Sequence, residues 1–334
     1  MSEREGIILH FDCCLDTPFH STEKKYKNLL KCSPYILGSS IRGELLNYLI
    51  IKNCTANNIR TLSALKKESD IIEFHSKCEI QCIVKKFLWN EKWGILLSFG
   101  QFERPQFRAI TRIAISRESR ASSGGGIVNI EQIRDGCNFS VEIVLCNDEQ
   151  IIDDVKSAFK VIGLYFGIGK YKNVAMGRFS IKNMSIKKVK DVLNEKITEF
   201  RQYEKKQRLT FITPFLLHNN SGLPIDLDQN QFAALFSKML LNRSKELSEF
   251  FNLNLNVEPT VIDSIRTYII PDYVSRYSLE ESTKKNRLVA KAGSYFDCYF
   301  GDSNQSLPTQ LALCSLFGVG EWADIGFGRF SIEG

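Results

Sequence analysis

Phe166-Gly-Ile-Gly-Lys-Tyr-Lys-Asn-Val-Ala-Met-Gly-Arg-Phe-Ser-Ile181 returns near the end of the chain as Phe317-Gly-Val-Gly-Glu-Trp-Ala-Asp-Ile-Gly-Phe-Gly-Arg-Phe-Ser-Ile332, with eight of sixteen positions identical and no gap. Each copy follows a stretch of helical spacing and runs into Arg-Phe-Ser-Ile, which alternates as a strand does, so the unit reads as helix, glycine-rich loop, strand. Glycine serves where the backbone needs positive φ or where another chain must approach it closely. Exposed amides in such a loop can bind phosphate. Two readings follow: a structural turn closing two similar domains, or a phosphate-backbone contact made twice.

Length agrees with duplication, since 334 residues suit two domains of about 100–200 residues each. Composition is ordinary for a globular chain, 43% hydrophobic and 25% charged. No apolar run approaches the roughly 18 residues of a membrane span, and the start Met-Ser-Glu-Arg-Glu-Gly lacks the features of a signal peptide. The chain is therefore expected to be soluble and cytoplasmic, with its ten cysteines reduced or bound to metal. The net charge of +6 is modest but uneven: residues 182–208 hold nine Lys or Arg against four acids, and 104–120 hold five arginines against Glu118. Such stripes suit a polyanion, although a charge run is usually a solvated face.

Outward from the repeat, Ile7, Leu9 and Phe11 predict a first strand. Within Ser33–Ile50, helical spacing of Ile41, Leu45, Tyr48 and Leu49 predicts a helix whose start Ser39 or Ser40 can cap. Arg42 in its first turn opposes the helix dipole, which points to an external anion or to a pair with Glu44. Phe107 to Ile115 and Phe139 to Leu145 alternate as strands, with a loop at Arg120–Gly126 between them. A helix carrying Ile151, Val155, Phe159 and Ile162 leads into the first glycine loop. Residues 182–208 read as a lysine-rich linker helix. The second half repeats the theme with a strand at Leu209–Leu217, a helix at Phe232–Leu247, strands near Ile262–Ile270 and Arg287–Phe300, and a helix opening at Pro308. The fold class is thus α+β, two tandem ferredoxin-like domains of the kind also used by RNA-recognition modules. Their bounds are 1–185 with an insertion near 53–90, a linker at 186–207, and 208–334.

Within the insertion stand Cys54, His75, Cys78 and Cys82. Zinc takes four thiolate or imidazole ligands, and a loop-rich segment gains folding energy from such a clip. Ordinary buried cysteines fit the same residues, because Cys78-x3-Cys82 is not a paired CxxC array.

The segment Leu313-Cys-Ser-Leu-Phe-Gly-Val-Gly-Glu-Trp-Ala-Asp-Ile-Gly-Phe-Gly-Arg-Phe330 resembles the C-terminal signature of the CRISPR precursor-RNA-processing endoribonucleases of the RAMP superfamily. Leu209-Thr-Phe-Ile-Thr-Pro-Phe215 and Leu240-Leu-Asn-Arg243 fit the same likeness, which covers most of 207–334. Gly38-Ser-Ser-Ile-Arg-Gly43 and Thr111-Arg-Ile-Ala-Ile-Ser-Arg117 resemble motifs of RAMP subunits that hold guide RNA in effector complexes, often without cleaving it. Some of those relatives carry a zinc-bound insertion. The resemblance implies a CRISPR repeat RNA or guide RNA as partner, with other effector subunits beside it. For the processing enzymes it implies metal-independent attack of a 2′-OH on the adjacent phosphate, leaving a 2′,3′-cyclic phosphate without a cofactor.

That chemistry calls for a group titrating near pH 7 and for cations around the phosphorane. Among His10, His20, His75 and His218, His10 reads as a structural strand residue, His75 as a metal ligand and His218 as loop surface. His20 follows the first strand, and with Tyr35 and Lys27 it forms the candidate catalytic set. Arg42, Arg112, Arg117, Lys170, Lys172, Arg178 and Arg329, with Gly318, Gly320, Gly326 and Gly328, form the candidate RNA-binding set. A mononucleotide-binding enzyme would need its glycine loop between a strand and a following helix, the reverse of the order here.

Overall fold

The computed structural model describes residues 5–54, 68–78, 82–89, 92–115, 122–146, 149–200, 206–216, 228–278, 283–301 and 306–333. In β1 (Gly6–Leu15) the odd-numbered Ile7, Leu9, Phe11 and Cys13 are buried, as period-two alternation requires. A hairpin of β2 (Thr22–Tyr26) and β3 (Leu29–Cys32) turns at Lys27, which takes a left-handed φ of 45°. Then come β4 (Tyr35–Ile36) and α1 (Gly38–Asn53), and beyond them α2 (Glu68–Ser76), α3 (Ile83–Lys86), β5 (Leu88–Trp89) and β6 (Lys92–Trp93). The first half closes with β7 (Ile95–Leu97), β8 (Gly100–Phe102), β9 (Phe107–Ile115), β10 (Ser122–Ile133), β11 (Asn138–Cys146), α4 (Glu149–Val161), the first glycine loop and β12 (Phe179–Lys188).

Its main sheet runs β12-β1-β11-β8, each pair antiparallel, with β4 outside β8 and β7 also on β11. Helices α1 and α4 follow the first and third of these strands, which is the ferredoxin-like βαββαβ order. A second sheet, β2-β3-β10-β9, is built from the two hairpins. Two local expectations change here. Strand β10 takes up Ser122–Gly126, where a loop was expected, by way of a register shift between Ser122 and Ile127. Neither Ser39 nor Ser40 caps α1; the helix starts at Gly38 with Leu37 in the cap position, which has no side-chain oxygen to offer and leaves both serines inside the helix.

The second half holds α5 (Val189–Phe200), β13 (Lys206–Phe211), α6 (Gln229–Phe250), β14 (Ile262–Tyr268), β15 (Pro271–Ser278), β16 (Thr283–Ala290), β17 (Tyr295–Phe300), α7 (Leu307–Phe317) and β18 (Phe330–Glu333). The sheet order β14-β17-β13-β18 is the same topology seen from its other edge. The stretch expected as one linker helix divides among the described residues: Lys182–Lys188 continue β12, Val189–Phe200 are helical, and Lys206–Arg208 already belong to β13. Similarly, Arg287–Phe300 breaks into β16 and β17 around Gly293, whose φ is 91°.

Among the described residues, three apolar clusters hold these layers. The first lies between the β1 sheet and α1 and α4, the second inside the second half. Ile8, Leu96 and Val144, on the opposite face of the first sheet, belong to that second cluster together with Val189, Leu193, Ile197 and Phe200 of α5. The basic helix is therefore a packing element with a buried stripe. The third cluster joins Phe99 to Leu216, Val274, Val289, Ile325 and Phe327. Among the described residues no helix is long and apolar enough to cross a membrane.

Candidate nucleic-acid interface and metal centre

The two glycine loops are built alike down to single hydrogen bonds, and each is built on a Thr-Pro-Phe turn that follows its first strand. Arg178 N–H donates to Thr17 Oγ1 and Arg329 N–H to Thr213 Oγ1, both at 2.9 Å. Gly177 N–H reaches Pro18 O and Gly328 N–H reaches Pro214 O, both at 2.8 Å. Lys170 N–H reaches His20 O at 2.8 Å, and Glu321 N–H reaches Leu216 O at 3.0 Å. The glycines make these approaches possible. At Gly169 (φ 92°) an added Cβ would lie 2.7 Å from His20 O, and at Gly326 (φ 94°) it would lie 2.7 Å from Phe99 N. Gly318, Gly320 and Gly328 likewise press against the carbonyls of Phe327, Leu216 and Val319. The second-copy glycines thus serve approach by the protein's own backbone, where a phosphate contact was expected.

The two loops differ in what covers them. The turn Ala323–Ile325 docks on the first half, so Ile325 is 3% exposed, whereas its counterpart Val174 is 53% exposed. Arg329 is drawn into the same joint and pairs with Glu142 at 2.7 Å. Of the second-loop residues proposed for RNA, then, the arginine is spent on an internal ion pair.

At the first loop Lys170 is exposed, and its Nζ donates to Thr22 Oγ1 at 2.8 Å. The Arg112 guanidinium lies 4.5 Å from the Tyr171 ring centroid, a cation–π stack beside Lys170. Lys172 is ion-paired with Glu44 of α1, the acid that the sequence offers to Arg42. Because α1 begins at Gly38, Arg42 falls in its second turn and not its first, half-buried, and Arg178 is half-buried with Nε lacking a hydrogen-bond partner among the described residues. Arg117 lies outside the described residues.

The candidate catalytic set is not assembled. His20 is fully buried, with Nδ1 2.6 Å from Glu131 O and Nε2 2.8 Å from Thr22 Oγ1. Burial pushes its pKa down, outweighing the bond to Glu131. A neutral imidazole with both nitrogens engaged has no atom left for a substrate, so His20 acts as a brace under the first loop. Tyr35 stacks on Phe99 at 4.8 Å, in the joint between the halves. Lys27 is exposed at the tip of its hairpin.

His10 lies in β1 as a partnered strand residue, in keeping with its reading from the sequence. It faces Asp12 (Nε2 to Oδ1, 2.9 Å) and Glu142 (Nδ1 to Oε1, 3.7 Å), and Glu142 in turn holds Arg329. The neighbouring Glu142 carboxylate raises the His10 pKa, partial burial opposes it, and Asp12 adds to the rise. Burial pushes the Glu142 carboxyl up, but the Arg329 charge, the neighbouring His10 and the bond from Arg329 hold it down to about 2. The i, i+2 spacing of His10 and Asp12 was visible in the sequence. Their meeting with Glu142 and Arg329 depends on strand register and on domain docking.

In the insertion, the ligand-capable atoms of Cys54, His75 and Cys82 lie within 4.8 Å of one another. Cys54 follows α1, His75 lies in the last turn of α2 and Cys82 precedes α3. His75 is 1% exposed, with Nδ1 3.4 Å from Cys82 Sγ and Nε2 unpartnered among the described residues. Burial, then the Cys82 and Cys78 thiols, push Cys54 up to about 11. Cys78 is half-buried and lies outside the tight group. Thiolates and imidazole are the donor set of a zinc site.

No protein-family model matches the chain, and no curated protein does. Among solved structures, a chain of "Cryo-EM structure of the Type III-B Cmr-beta bound to cognate target RNA" is similar at 14% identity and a TM-score of 0.38, over 55% of this chain and 61% of that one. This chain therefore spans less than two thirds of its neighbour. The fold assignment rests on the strand orders above, and a likeness this distant carries no argument about activity.

Proposed function

We propose that this chain binds RNA at the rim of its first glycine loop and holds a CRISPR guide RNA as a RAMP-type effector subunit, without cutting it. The observation that carries the reading is the stack of Arg112 on Tyr171 beside the exposed Lys170. Cations placed next to an aromatic face are the combination that holds single-stranded RNA, the charge on phosphate and the ring on a base. The non-cleaving reading is supported by His20, whose two nitrogens are already bonded, while His218 lies outside the described residues. The CRISPR context comes from the resemblance of the sequence motifs.

Labelled repeat RNA incubated with the protein in EDTA tests this. Binding should weaken steeply with salt while the RNA stays intact. Combined Lys170→Ala and Arg112→Ala should lower the slope of log K against log salt by about 1.4, at about 0.7 per phosphate contact on a single strand. Affinity that is flat across the salt range would sink the reading. A second reading, a metal-independent endoribonuclease leaving a 2′,3′-cyclic phosphate, is favoured by one observation: His10 is partly exposed and shares Glu142 with Arg329. A cyclic-phosphate product that disappears in His10→Ala would establish it in place of the first.

A further inference from the structure

We infer that Cys54, His75 and Cys82 bind a zinc ion, with Cys78 as the fourth ligand, and that this ion is the folding clip of the segment between α1 and β7. The inference is independent of RNA binding. A tetrahedral zinc with bonds of about 2.0–2.3 Å places its ligands roughly 3.3–3.8 Å apart. Three donors already mutually within 4.8 Å need only small side-chain rotations to reach that geometry. They come from three separate elements, so one ion ties the end of α1 to α2 and to the start of α3.

The segment's described elements are short, and Ile71 and Ile72 of α2 lean on the core of the first half. Helix α2 has nine residues and α3 four, below the roughly 12–15 at which isolated helices hold in water. The buried apolar residues of α3 and its flanks, Cys82, Val84 and Phe87, belong to the core of the first half rather than to a core of their own. His75 supplies a second sign of a missing partner: it is sealed from water, yet its Nε2 meets no acceptor or donor among the described residues. A bound cation changes what that ring is for, since one nitrogen ligates and fixes the tautomer of the other. The donors also choose the ion, because sulfur and imidazole select zinc over the oxygen-seeking magnesium or calcium.

Cys78 is assigned the fourth position because it lies one turn past His75, its N–H bonding His75 O at 3.2 Å. Rotation about χ1 swings its sulfur between staggered positions. A centre of three thiolates and one imidazole carries one net negative charge. Lys85 stands beside it, with Nζ 3.4 Å from Cys78 O.

The test uses the full chain purified from zinc-supplemented medium. About one zinc per chain is expected, and exchange for cobalt should give a thiolate-to-cobalt charge-transfer band with tetrahedral d–d intensity. Cys54→Ser and His75→Ala should each lower zinc content at least fivefold. Cys78→Ser should keep the ion and lose about one third of the charge-transfer intensity, as three thiolates become two. Wild-type protein with less than about one tenth of a zinc per chain would overturn the site, whatever the variants do. So would a Cys54–Cys82 disulfide found by mass spectrometry. An unchanged band in Cys78→Ser would overturn the assignment of the fourth ligand.

Discussion

Gly177 and Gly43 show how differently two glycines of one chain are used. Gly177 has a φ of 75°, and any Cβ there would collide with the carbonyl of Ile168 across the first loop. Gly43 lies within α1, exposed, and a methyl group added there would meet nothing within 4 Å. Alanine at Gly177 combines left-handed strain with a backbone clash and should cost about 3 kcal/mol or more. Alanine at Gly43 should stabilise by about 0.8–1.0 kcal/mol through helix propensity alone. Denaturant midpoints of the two variants, read side by side, check both signs. A Gly177→Ala midpoint equal to wild type would contradict the packing role assigned to the loop.

Elements are tied together by polar contacts that cross from strand to loop. His10 of β1 stands opposite Glu142 of β11 in register, and Arg329 arrives from the second loop to complete the row. Because the folded pKa of His10 lies above its ordinary 6.5, its stabilisation is full below that value and is lost as pH rises through the raised one. Glu142 behaves in the opposite sense: its share is present above 4.5 and is lost as pH falls through about 2. The stability difference between wild type and His10→Gln should therefore be greatest near pH 5–6, about a unit below the ordinary histidine value, and shrink on the alkaline side. Chemical denaturation across that range decides it, and a difference that grows with pH would contradict the pairing. The helix-to-loop tethers are related but charge-swapped: Glu44 of α1 holds Lys172, whereas Arg243 of α6 holds Asp324 at 2.8 Å and the carbonyls of Phe317 and Gly318. The same architectural tie is met with opposite chemistry, which is why comparison of the two copies alone does not display it.

At the scale of the molecule, the second glycine loop closes the joint between the halves. Phe99 stands at its centre, stacked on Tyr35 at 4.8 Å and edge-on to Phe327 at 5.0 Å. Phe99→Ala removes a buried ring from this contact and should cost about 3–5 kcal/mol, the range for such truncations in a packed core. Small-angle scattering should show a larger radius of gyration as the halves part. A variant that loses stability while scattering as wild type would place the effect within one half and not at the joint.

The repeat at 166–181 and 317–332, together with the alternation of β1 and β11 and the amphipathic spacing of α4, determined the α+β class and the ferredoxin-like element order. These are local patterns: a period of two or 3.6 is written in neighbouring residues and survives whatever the rest of the chain does. The gathering of cysteines and His75 in one insertion was also legible, since ligand type and spacing are properties of the sequence. Only the tertiary structure decided which repeated loop would be bare and which covered, because Val174 and Ile325 are similar residues whose 53% and 3% exposures depend on what docks from far along the chain. It likewise decided that His20 is a brace and His10 a partner of Glu142, because burial and hydrogen-bond partners are set by contacts across 111 and 132 positions of sequence that no local period encodes.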